Sequence, residues 1–152
     1  MNNLFSDRLK KLTPYTPGEQ LNDKRYIKLN TNENPYPPSD KVLEAIKDKA
    51  GETLRLYPDP ESKELLSVIA KKYSIDNDMV FVSNGSDETL AFAFNAFFSG
   101  KKVAFPRITY SFYPVYCKLY DAKEETPEMN YDYTINKEAV SKCKYPLIIA
   151  NP

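Results

Sequence analysis

The 152-residue sequence contains no histidine. That removes His-based nucleophilic triads, His metal sites and the commonest general base in one step. Cysteine is nearly as scarce. Cys117 and Cys143 are too few and too far apart for a disulfide framework or a four-ligand zinc centre, so they read as free thiols and no metal site is expected. Net charge is missing as well: 21 Lys plus Arg balance 21 Asp plus Glu. Nothing therefore steers the chain toward nucleic acid or an anionic membrane. No apolar run approaches the roughly 20 residues that a membrane-spanning helix needs, and residues 91–98 are interrupted by Asn95. The opening residues MNNLFSDRLKK carry no apolar signal region or cleavage site, which makes the cytoplasm the expected location. Chemistry is left to carboxylates, Tyr, Lys, Ser or a cofactor.

Residues 1–38 are polar and broken by prolines at 14, 17, 35, 37 and 38, with one short strand-like alternation over 26–29. They read as an arm that wraps something, not as a core. Ser39 is a good N-cap for an amphipathic helix over 40–50 that Gly51 stops. Asp59 with Pro60 at the first helical position predicts a second helix over 60–73, where Leu65, Leu66, Ile69 and Tyr73 recur at helical spacing. From residue 78 strand and helix alternate. Strands are predicted over 79–83, 102–105, 122–128 and 146–150, the last nearly all apolar and so buried on both faces. Helices are predicted from Ser86, over 110–119 and over 136–143. This alternation implies an α/β fold with a mainly parallel sheet and flanking helices.

Three strand ends carry the candidate chemistry. Ser83-Asn84-Gly85-Ser86-Asp87-Glu88 is a glycine turn that opens a helix. The first N–H groups there have no internal partner, the helix dipole adds positive charge, and glycine lets a ligand approach the backbone. The turn alone does not decide between an anion site and a plain strand-to-helix connection, and it has neither the Walker pattern nor the dinucleotide glycines. Tyr110 follows the next strand and could stack on a flat ring, or pack in a core with Phe112, Tyr113 and Tyr116. Asn151 ends the last strand on the same carboxyl edge, the edge where open α/β sheets bind ligands.

Taken in order, Thr13-Pro14-Tyr15, Leu29-Asn30-Thr31-Asn32-Glu33-Asn34-Pro35-Tyr36, Arg55-Leu56-Tyr57-Pro58-Asp59, the Ser83–Glu88 turn, Thr109-Tyr110-Ser111-Phe112-Tyr113 and Asn151-Pro152 resemble the histidinol-phosphate aminotransferases. These are fold type I enzymes that depend on pyridoxal 5′-phosphate (PLP). The resemblance runs from about residue 10 to the end. It implies an N-terminal arm (1–38) and the first half of a PLP-binding large domain (39–152), cut at its C-terminal side. It further implies that Ser86 and Asp87 hold the cofactor phosphate, Tyr110 stacks on the pyridine ring and Asn151 bonds the ring's phenolic oxygen. Tyr57 would reach the phosphate in the neighbouring subunit of a homodimer. Tyr15 and Asn34 would lie near the substrate, Tyr15 toward its phosphate.

The reaction implied is transamination between glutamate and imidazole acetol phosphate in histidine biosynthesis, with 2-oxoglutarate as the partner product. The Schiff-base lysine, the carboxylate on the pyridine nitrogen and the substrate arginine lie beyond the Asn-Pro motif in that family. No lysine here stands in the serine- or threonine-flanked context the family uses, so the chain by itself is expected to be inactive, with no catalytic residue of its own. Arg107 departs from the family locally, as a cation that helps a phosphate or merely faces solvent. Related aminotransferases, threonine-phosphate decarboxylase, and a non-catalytic phosphate-binding or oligomerisation half-domain are the alternatives.

Overall fold

The computed structural model describes residues 4–10, 12–13, 18–19 and 25–151. Among them lie six α-helices and two strands: α1 (Asp7–Lys10), α2 (Asp40–Lys49), α3 (Lys63–Tyr73), α4 (Ser86–Ala93), β1 (Lys102–Ala104), α5 (Tyr113–Leu119), β2 (Lys123–Glu125) and α6 (Lys137–Ser141). The chain forms two compact units, Pro14–Val80 and a second that joins Met1–Thr13 to Phe81–Pro152. None of the described helices is long and apolar enough to cross a membrane.

In the unit Pro14–Val80, α2 forms where the periodicity predicts it, with Ser39 at the N-cap position. Helix α3 starts later than residue 60. The Asp59 carboxylate accepts from the N–H groups of Glu61 (3.1 Å) and Lys63 (2.8 Å). Both oxygens are thus spent on closing a turn, and Ser62 bends to a φ of 48° before the helix begins. The carboxyl of Asp59 is held below its ordinary pKa by these backbone donors, that of Lys63 first. Residues 25–39 form turns and extended backbone with every side chain exposed, and the alternation over 26–29 joins no strand among the described residues.

The other unit is built on β1. Its two flanking pairings are both parallel, as the alternation predicts. On one side β2 pairs in the register Lys102↔Lys123, Val103↔Glu124 and Ala104↔Glu125. On the other, Ala104 bridges Leu147. The Ala104 N–H donates to the Pro146 carbonyl and the Ile148 N–H to the Ala104 carbonyl, each at 2.8 Å. As the central strand, β1 has Val103 and Ala104 fully buried. β2 reads Lys-Glu-Glu, charges that suit a sheet edge.

The core gathers Phe94, Val103, Phe105, Tyr113, Tyr116 and Cys117 between this sheet and the helices α4 and α5. Burial of each large side chain contributes about 1.5–3 kcal/mol. A single π-helical turn, Phe94–Phe98, ends α4 and leaves Phe94 without solvent exposure.

Two predicted strands differ from what forms. Asn77–Met79 is a 3-10 turn, and residues 80–83 join no ladder among the described residues. Instead Phe81 meets Phe92 of α4 edge to face at 5.9 Å. Residues 146–150 were expected to be buried on both faces. Only Leu147 pairs, however, and Ile149 is 45% exposed, because no described strand covers its outer side. Helix α5 begins at Tyr113 because Pro114, with no N–H to donate, fits only a first turn. Helix α6 begins at Lys137, where the Asn136 side chain accepts from the Ala139 N–H at 3.0 Å.

Candidate functional site

The candidate site is built upward from the turn before α4. Gly85 has φ 81° and ψ 172°, a backbone region that is essentially closed to residues with a Cβ. A Cβ added there would meet nothing within 4 Å, so the dihedral demands glycine and the space beside it stays open. The turn is braced from within. The Ser83 hydroxyl donates to the Gly85 carbonyl at 2.9 Å and shares a short hydrogen bond with the Thr89 hydroxyl. The Glu88 carboxylate reaches back to the Asn84 N–H at 2.7 Å. That donor stands one residue before the N-cap Gly85, so the bond ties the Glu88 carboxylate to the turn and leaves the first amides of the helix unused. No side chain caps α4, so its first amides point from the glycine turn with the positive end of the helix dipole behind them.

Asp87 is held by two residues from beyond β1. Tyr110 donates to Asp87 Oδ1 at 2.6 Å. Tyr116 of α5 donates to the Asp87 carbonyl at 3.0 Å and lies 3.3 Å from the same Oδ1. Tyr110 is 38% exposed; its ring stacks with Phe112 at 6.0 Å and meets Tyr113 edge to face at 5.6 Å. Tyr116, in contrast, is only 4% exposed and packs against Phe94 and Phe112. Burial first, and the Asp87 charge second, push its phenol up to about 12, so it remains a proton donor throughout the neutral range. Beside Tyr110, the Thr109 hydroxyl is buried without a hydrogen-bond partner among the described residues.

The structure thus brings Ser86, Asp87 and Tyr110 together. Asn151 is exposed and follows the Leu147 bridge toward the same end of β1 as residues 105–110, as the parallel pairing requires. Asn34 and Tyr57 belong to the other unit. There Asn34 Oδ1 accepts from the Tyr36 N–H at 2.9 Å, and Tyr57 is fully exposed. Tyr15 lies outside the described residues. Arg107 is exposed. Sequence reasoning missed the role of Tyr116 at the turn; Glu88 reads in the sequence as a helix-capping acid, and its bond to the Asn84 N–H ties it to the turn. Tyr116 sits one helical turn past Phe112 and Tyr113 and reads as core, and its ring is core; only the hydroxyl serves the turn.

Comparison with known proteins adds to this geometry. The family described as Aminotransferase class I and II matches residues 24–143. A protein of Clostridium beijerinckii named histidinol-phosphate aminotransferase is 49% identical over 153 residues, covering 100% of this chain and 43% of the relative. One of Oceanobacillus iheyensis named histidinol-phosphate aminotransferase 1 is 50% identical, with the same coverage. A histidinol-phosphate aminotransferase of Clostridium acetobutylicum is likewise 50% identical, over 100% of this chain and 44% of its own length. The chain therefore spans less than half the length of the curated relatives it matches.

Proposed function

The chain belongs to the class I and II aminotransferase family, and from that premise we propose that it forms the phosphate-binding part of a PLP-dependent histidinol-phosphate aminotransferase. The complete enzyme would move an amino group between glutamate and imidazole acetol phosphate. Within the fold type I architecture, residues 1–38 would serve as the N-terminal arm and 39–152 as the first half of the cofactor domain. The observation that carries this reading is the Gly85 turn, with its open face, its uncapped helix start and its first-turn acid tied to two tyrosines.

Those features suit a phosphorylated aromatic cofactor. A dianionic phosphate needs backbone donors and an open approach, which the amides of Ser86 and Asp87 beside Gly85 offer. The unpartnered Thr109 hydroxyl adds a buried polar group on the tyrosine side. Tyr110 would supply the ring contact and Asn151 the amide to the ring oxygen. Tyr57 would complete the phosphate site of a second subunit in a cytoplasmic homodimer, and Asn34 and Tyr15 would face substrate. PLP, when bound, supplies an electron sink for the substrate carbanion. The residues here bind and orient; the lysine that moves the proton belongs to a part of the relatives that this chain does not match, so the chain alone should give no turnover.

Pyridoxine 5′-phosphate is the sharper probe than PLP, because an alcohol forms no imine with surface lysines. Equilibrium dialysis of the purified chain should show tighter binding of pyridoxine 5′-phosphate than of pyridoxine. Equal affinity for the two, or transaminase turnover by the 152 residues, would overturn the assignment.

A further inference from the structure

We infer that Tyr116 is a positioning residue of the phosphate turn, which keeps the Asp87 carboxylate off the amides at the start of α4. This inference rests on the cofactor reading above. Asp87 stands in the first turn of α4, where an acid is normally welcome because it faces the positive helix end. For an anion site that preference is a handicap: the carboxylate competes for the same amides and repels a phosphate. Two phenols remove it. Tyr110 and Tyr116 both approach Oδ1, and Tyr116 also donates to the Asp87 carbonyl. The second bond matters because it fixes the peptide as well as the side chain. Tyr116 can impose this position because it is itself fixed, wedged in the core between Phe94 at 5.2 Å and Phe112 at 5.4 Å. Tyr110 is more exposed and is the residue expected to meet the cofactor ring, so on its own it is the weaker anchor.

The test compares wild type, Tyr116→Phe, Asp87→Asn and the double variant through one ratio, the affinity for pyridoxine 5′-phosphate over that for pyridoxine. Phenylalanine keeps the packed ring and deletes only the donor. Tyr116→Phe should lower the ratio about tenfold, the scale of a hydrogen bond to a charged group. The double variant should return it to within about threefold of wild type, because asparagine has no charge to repel phosphate. A purely structural Tyr116 would instead weaken both ligands alike and show no rescue, which would overturn the inference. So would an unchanged ratio in Tyr116→Phe. Should Tyr116→Phe not fold, Tyr116→Met, which also lacks the donor, takes its place in the same comparison, with the same loss of ratio and the same rescue by Asp87→Asn expected and an unchanged ratio overturning the inference. A wild-type ratio near one removes the cofactor reading and this inference with it. A high wild-type ratio with no effect of Tyr116→Phe removes only the role of Tyr116.

Discussion

Replacing Gly85 by alanine isolates the backbone geometry of the turn. The added methyl has open space around it, with nothing within 4 Å, so side-chain clash contributes nothing. What changes is the cost of holding φ at 81° with ψ at 172°. A non-glycine residue in such a region costs about 1–3 kcal/mol. The chain can escape only by rotating residue 85, which would break the bond from the Ser83 hydroxyl to the Gly85 carbonyl and loosen the first turn of α4. That route loses a hydrogen bond worth about 1 kcal/mol and gains little. Gly85→Ala should therefore lower the unfolding free energy by about 1–3 kcal/mol, read from urea transitions followed by far-UV circular dichroism. The control is Gly51→Ala, where φ is −154° and an added Cβ also meets nothing. It should stay within about 0.5 kcal/mol of wild type. A Gly85→Ala loss no larger than that of the control would refute the argument, since it would mean the dihedral is not required.

The two cysteines should differ sharply. Burial, aided by the negative charge of Glu124, pushes the Cys117 thiol up to about 11, so at pH 8 an aromatic disulfide reagent should titrate the half-buried Cys143 and leave Cys117 until the protein is denatured; prompt reaction of both thiols would contradict the packing. Stability should also fall in strong base. The Tyr116 phenol ionises near 10 when unfolded and near 12 when folded, so the unfolded chain loses that proton first; its contribution is intact below about 10 and disappears as pH rises toward about 12. The wild-type urea midpoint should fall toward that of Tyr116→Phe as pH rises from about 9 to about 12, and parallel curves would count against the assignment.

Local signals were legible in this sequence where one residue decides the outcome. Ser39 marks the start of α2, Ser86 follows a glycine that the dihedral demands, and Asn136 caps α6. Errors arose where distant partners decide. The run over 79–83 has strand composition, yet a strand requires a neighbour, and it rests on Phe92 instead. The apolar composition of 146–150 suits burial on both faces, whereas among the described residues one bridge to Ala104 is all that pairs it. Asp59 misled in another way. Its preference for capping is satisfied, but on a turn that delays α3 to Lys63. For the site, the glycine turn and Tyr110 were readable as separate pieces. The bonds from Tyr110 and Tyr116 to Asp87 were not, since they join positions 23 and 29 residues apart.

The two pairings of β1 also bear on the order in which the unit assembles. Joining Lys102 to Lys123 closes a loop that α5 already shortens, whereas joining Ala104 to Leu147 spans about twice as many residues. Each doubling adds only about 0.6 kcal/mol of closure entropy, but it is met before the contacts that offset it exist. The segment from β1 through α5 to β2 is thereby favoured as the nucleus, and both tyrosines that grip Asp87 lie inside it. The Gly85 turn would then dock onto a framework already formed, and a substitution that slows formation of that nucleus would leave the turn correctly encoded but without its mould.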